Sequence, residues 1–173
     1  AVKEIMDAEG LSASDVVAVT CTVPPVVTSN LTYPNPQTAT EAQFSLHFAI
    51  AAIIEYGDIK LEHLTTEMVS SAPIKRLLPK IDVKVGDIPE PYRSSRLICP
   101  EWGYVELTTQ AGDRKCSFAG SPLGSALRPM SDEVLKKKFN ACAKYGNVKD
   151  SASALYNKIL NVELLTNTRE LFS

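Results

Sequence analysis

The chain has 173 residues, 45% of them hydrophobic and 22% charged, which is the balance of an ordinary soluble globular protein long enough to bury a sizeable core. A net charge of −2 and a pI near 5.7 exclude the basic footprint of a nucleic-acid binder. No apolar run approaches the roughly 18 residues of a membrane span, and no basic start with a small-residue cleavage site marks a signal peptide.

The first residues, Ala1 to Met6, read as the last turns of a helix that Gly10 stops. Such a start fits a fragment or processed product, and equally an initiator removed ahead of an alanine. Asp15 to Val23 is β-branched and alternating, hence a strand, and Pro24-Pro25 ends it. Residues 26 to 39 hold Asn30, Pro34, Asn35 and Pro36 and read as an irregular loop.

The next stretch is a central helix over residues 41 to 56. Thr40 serves as its N-cap with Gln43 at capping-box spacing, and Glu41 favours the positive end of the helix dipole. Apolar residues ring this segment, so the helix is buried on more than one side, and Gly57 is its C-terminal stop. A short helix follows at 65 to 71, and Pro73 opens another over Ile74 to Leu78.

Ile81 to Val85 alternates strictly, the pattern of a half-buried strand. Residues 86 to 100 carry Pro89, Pro91 and Pro100 and form a long loop. Tyr104 to Thr109 and Lys115 to Phe118 pair as a hairpin across Ala111-Gly112-Asp113. Beyond the loop at 119 to 130, Ser131 caps a helix with an apolar stripe at Val134, Leu135, Phe139, Cys142 and Ala143. Asp150 or Ser151 caps a final helix whose Leu155, Ile159, Leu160, Val162 and Leu164 face inward. The expected fold is α+β: a small antiparallel sheet on a buried central helix, with a C-terminal helical pair. Residues 1 to 130 form the α+β domain and 131 to 173 the terminal helices.

Chemistry-bearing residues are sparse. His47 lies on the central helix and His63 between Glu62 and Leu64, where it reads as a surface residue. Arg93, Arg96 and Arg128 are able to clamp carboxylates. The Gly120 to Ser125 loop lacks the Lys-Ser/Thr follower of a phosphate cradle. Lys136, Lys137 and Lys138 read as a solvated helix face. Cys21, Cys99, Cys116 and Cys142 have no metal-site spacing and read as reduced, mostly buried thiols of a cytosol-like compartment. The residues by themselves describe a domain without a self-contained catalytic constellation, one that binds something or completes a site built elsewhere.

Several blocks resemble the C-terminal part of the MmgE/PrpD family, which includes 2-methylcitrate dehydratase, cis-aconitate decarboxylase and iminodisuccinate epimerase. Pro36-Gln37-Thr38-Ala39-Thr40-Glu41-Ala42-Gln43-Phe44-Ser45 resembles the family's P-x-T-x-x-E-A-x-F-S block, followed by a helix ending at Gly57. Asp15 to Val19 and Ile81 to Val83 resemble two of its strands, and Arg128-Pro129-Met130-Ser131 with Lys138-Phe139 a later block. The resemblance implies a lid plus returning helices of a larger lyase, with the principal catalytic His, Lys and Asp upstream of Ala1. It implies a metal-free and cofactor-free reaction on a di- or tricarboxylate, an absent N-terminal helical domain as partner, and a cytoplasmic homodimer. Tyr33, Ser45, His47 and Arg128 are the substrate-contacting candidates; His47 stands where the family commonly has an aromatic Tyr.

Overall fold

The computed structural model describes residues 1–94, 98–148 and 152–172. The chain divides into two compact units, Ala1–Arg128 and Pro129–Ser173. The first opens with helix α1 (Val2–Glu9), closed by Gly10 at φ 61°, a left-handed conformation that costs glycine little. Strand β1 (Val16–Val23) leads to helices α2 (Pro25–Asn30), α3 (Ala39–Gln43), α4 (Leu46–Tyr56), α5 (Thr66–Val69) and α6 (Ala72–Leu77). Strands β2 (Ile81–Val85), β3 (Gly103–Thr109) and β4 (Arg114–Ala119) complete the unit.

The four strands form one sheet in the order β2-β1-β3-β4. β3 and β4 are the expected hairpin, with Tyr104 opposite Phe118 and Glu106 opposite Cys116. β1 runs antiparallel to β3, with Val19 opposite Leu107 and Cys21 opposite Val105. Side chains alternate across a strand, so Val19, Cys21, Val23, Val105 and Leu107 share one face. That face is buried, and Phe48, Ala51, Ala52 and Ile54 of α4 join it in a single core together with Ile5 of α1 and Ile74 and Leu77 of α6.

The α+β class stands, and three details differ from the sequence expectation. The sheet is mixed rather than antiparallel, because β1 pairs in parallel with β2, Val19 beside Ile81 and Cys21 beside Val83. A parallel pair needs a long crossover, and α2 to α6 supply it. Residues 26 to 39 are not wholly irregular: Pro24 is the N-cap of α2 and Pro25 sits in its first turn, where proline's missing N–H costs nothing. The central helix is two helices. Thr38, not Thr40, caps α3 by accepting the Glu41 N–H at 3.2 Å. The chain breaks at Phe44, and Ser45 (φ −124°) caps α4 by accepting the Phe48 N–H at 3.0 Å. A serine inside an apolar run is a better cap than an interior helical residue, because its hydroxyl meets a donor that a new helix leaves unpaired. Gly57, at φ 74°, ends α4 as expected.

In the second unit Ser131 caps helix α7 (Asp132–Tyr145) by accepting the Val134 N–H at 3.3 Å. Helix α8 (Ala152–Leu160) packs on it, with the Phe139 and Tyr156 rings 5.1 Å apart. Asp150 and Ser151, the expected caps of the last helix, lie outside the described residues. Ile159, Leu160, Val162 and Leu164 were expected to face inward and are exposed, Leu164 at 74%. Two helices bury one stripe each against the other, so the remaining apolar faces have nothing to pack on within the unit. Among the described residues no helix is long and apolar enough to cross a membrane.

Candidate functional site

The α3–α4 break gathers three of the four candidate residues. Tyr33 belongs to the loop after α2, which is anchored by the buried Pro36 and tied to the break by a hydrogen bond from the Tyr33 N–H to the Phe44 carbonyl at 3.3 Å. A residue before proline is held extended, so the Tyr33 side chain stands off the local backbone; Tyr33 is 42% exposed and Phe44 beside it 48%. Ser45 is 2% exposed and its hydroxyl is engaged as the α4 cap. Its part at this corner is therefore to fix where α4 begins.

His47 follows in the first turn of α4 and is half-buried. Burial pulls its pKa below the usual histidine value, and the Asp82 carboxylate on β2 opposes that shift. Desolvation disfavours the charged imidazolium, so the neutral ring dominates at neutral pH. Among the described residues the imidazole makes no side-chain hydrogen bond. Tyr33 carries a phenol donor and His47 a neutral imidazole, groups able to hydrogen-bond an anionic or carbonyl oxygen.

Arg128 is elsewhere, at the far side of the sheet beside β4. It pairs with Glu4 of α1 at 3.2 Å, and the Ser117 hydroxyl of β4 donates to the other Glu4 oxygen at 2.8 Å. The Ser117 hydrogen bond is the main reason the Glu4 carboxyl sits below its usual range, with the Arg128 charge adding to it. A tight turn holds Arg128 in place: the Gly124 N–H donates to the Arg128 carbonyl at 2.7 Å, and the Ser125 hydroxyl accepts the Arg128 N–H at 3.2 Å. Of the other arginines, Arg93 pairs with Glu90 and donates to the Ile88 carbonyl, and Arg96 lies outside the described residues.

Two expectations are corrected here. His63 is buried, not superficial: its Nδ1 accepts the Lys60 N–H at 3.3 Å and its ring lies 4.6 Å from Tyr56. The four cysteines are free, but only Cys21 is buried, and burial pushes its thiol up to about 11. Cys116 and Cys142 are exposed and Cys99 is partly so. Among the described residues no group of three His, Cys, Asp or Glu is placed to hold a metal ion.

Two cavities were not foreseen. One, of about 480 Å³, is apolar and bordered by Val27, Leu31, Leu46, Ile50, Ile53 and Trp102. The other, of about 360 Å³, lies at the Glu4–Arg128 pair. The only tryptophan of the chain, set between Pro100 and Gly103, was an available signal for the first. The second had none, because Glu4 and Arg128 are 124 positions apart.

The family model of the MmgE/PrpD C-terminal domain matches residues 1–162. The chain belongs to the MmgE/PrpD family. No curated protein matches it. The MmgE/PrpD match spans α1 through α8 and so includes the α3–α4 break, the Glu4–Arg128 pair and both terminal helices.

Proposed function

We propose that this chain is the lid, with the returning terminal helices, of an MmgE/PrpD-type lyase acting on a di- or tricarboxylate, and that it is inactive by itself. The observation that carries the reading is the family match over residues 1–162, to a domain described as C-terminal. The exposed apolar residues of the second unit, Val134 and Leu135 on α7 and Ile159, Leu160, Val162 and Leu164 at the end, support it, because such side chains favour a covering partner. That partner is the N-terminal helical domain; the assembled enzyme is a cytoplasmic homodimer.

In this reading a base supplied by the partner domain removes a proton α to a carboxylate and the β-hydroxyl, protonated by an acid of that domain, leaves as water, as in 2-methylcitrate dehydratase; in a decarboxylase such as cis-aconitate decarboxylase carbon dioxide leaves with its bonding pair left on carbon, and an acid protonates the resulting carbanion. The lid excludes water, which strengthens every charge interaction around the developing carbanion. Tyr33 donates a hydrogen bond to a substrate oxygen, and His47, as a neutral ring, adjusts which substituent fits. Ser45 fixes the start of α4. Arg128, paired with Glu4 beside β4, stands apart from Tyr33 and His47 and is given no contact to the same substrate.

The test is an assay of this chain alone and of a longer native protein that contains it, on methylcitrate and cis-aconitate. Turnover by the longer protein only is expected; turnover by the chain alone at a normal enzymatic rate refutes the proposal. In the longer protein Tyr33→Phe lowers turnover at least tenfold and leaves thermal stability unchanged. The competing reading is a non-catalytic binding or assembly module. An intact mass from the native source near 18.8 kDa favours that module, and a much larger mass favours the lyase.

A further inference from the structure

Glu41 makes a bond that helix capping alone does not require. Thr38 caps α3 and accepts the Glu41 N–H at 3.2 Å, the first half of a capping box. In such a box the carboxylate of the third helical residue returns to the N–H of the cap itself. The Glu41 carboxylate instead reaches one residue further out, where its Oε2 accepts the Gln37 N–H at 2.6 Å. Gln37 lies outside the helix, on the loop that carries Tyr33. At the other end of that loop the Tyr33 N–H donates to the Phe44 carbonyl at 3.3 Å, a long bond. Between them the Gln37 side-chain amide donates to the Asn35 carbonyl at 3.0 Å. Pro34 and Pro36 fix φ at two positions and extend the residues before them, but they do not fix where the loop enters α3. The short bond to an ionised acceptor does that. One backbone bond and one side-chain bond thus close Tyr33 to Gln37 onto α3 and the break after it.

We propose that Glu41 is a positioning residue, a clamp that sets the Tyr33 loop in place before any ligand arrives. Its use in a reaction rests on the lyase reading, in which Tyr33 donates to a substrate oxygen; the clamp itself rests on the hydrogen bonds of this chain. Glu41 touches no reacting atom and acts on Tyr33 through Gln37 and the proline-bounded loop. A loop that is already set does not have to be ordered when a ligand binds. Placement matters for a donor such as a phenol, because a shift of about 1 Å is enough to lose most of its effect on a reaction.

The first measurement is NMR on the whole 173-residue chain, reading amide exchange and backbone order at Tyr33, Asn35 and Gln37. In Glu41→Ala the Gln37 amide exchanges about tenfold faster, the scale of one net hydrogen bond, and Tyr33 loses order. Glu41→Gln keeps an acceptor oxygen and stays ordered. Glu41→Asp keeps the charge but is one methylene too short, so it behaves as Glu41→Ala while remaining a good residue for the first turn of a helix. Trp102 fluorescence verifies that each variant is folded. The second measurement is a double-mutant cycle on turnover in the longer protein. Glu41→Ala and Glu41→Asp each lower turnover about tenfold. In the Tyr33→Phe background the same changes cost less than about twofold, because the group they position is already gone. A merely structural Glu41 gives equal losses in both backgrounds. Equal losses, or a Tyr33 loop that stays ordered in Glu41→Ala and Glu41→Asp, overturn the proposal. If the longer protein is a lyase with equal losses, the clamp fails and the lyase reading stands. If it is no lyase and Glu41→Asp still frees Tyr33 in the 173-residue chain, the clamp stands and the lyase reading falls.

Discussion

Replacing Ser45 with Ala isolates the contribution of the α4 cap. The serine is 2% exposed, its hydroxyl accepts the Phe48 N–H at 3.0 Å, and Phe48 itself is among the largest fully buried side chains. Loss of an N-cap hydroxyl costs about 0.5–2 kcal/mol. Leaving a buried N–H without a partner costs about 1–3 kcal/mol, and here the two descriptions concern the same bond, so they are not summed. The upper part of the cap range applies because water has no access to the vacated donor; the expected loss is about 2 kcal/mol. Urea denaturation followed by Trp102 fluorescence measures it, since that side chain is the sole tryptophan and is buried in the first unit. Thr40→Ala is the control. Thr40 is exposed within α3 and caps nothing, so this variant changes stability by less than about 0.5 kcal/mol. A Ser45→Ala loss under about 0.5 kcal/mol, or a larger loss for Thr40→Ala, refutes the assignment of the helix break to Ser45.

Cys21, whose thiol burial holds near 11, resists a thiol reagent at pH 8 until the protein unfolds, whereas Cys116 and Cys142 react at once. Reagent titration with mass mapping checks the order, and prompt labelling of Cys21 contradicts the packing. His47 has a folded-state pKa below its unfolded value of about 6.5. Its contribution to stability is thus fully present above about pH 6.5 and is lost as pH falls through the folded pKa. His47→Gln flattens that part of the stability profile, and an NMR titration that places His47 above the ordinary histidine value contradicts the burial argument.

What the sequence made legible follows the range of the forces involved. β1, β2 and the β3–β4 hairpin stood out because strict alternation and a local turn are written within a few residues. The break at Ser45 was hidden, because an apolar run on both sides reads as one helix and only the capping bond reveals two. α2 was hidden by its own prolines, which mark loops and helix starts alike. The parallel β1–β2 pairing is set by the sheet as a whole, not by either strand. At the candidate site, Tyr33 and His47 were singled out because they flank one recognisable block of sequence, Pro36 to Ser45. The Glu4–Arg128 pair was not, since nothing local marks two residues that the fold alone brings together.

The central place of β1 in the sheet shapes how the chain reaches this structure. Its partners, β2 and β3, both come much later, β2 at Ile81–Val85 and β3 at Gly103–Thr109. During synthesis Val16–Val23 therefore emerges as a β-branched, low-charge segment with both edges open until those strands follow. Pairings of such long sequence separation form slowly, because the intervening chain must be ordered before any ladder bond repays it. The sheet is thus the last part of the unit to close, and β1 is the segment for which a chaperone or a neighbouring strand competes in the interval.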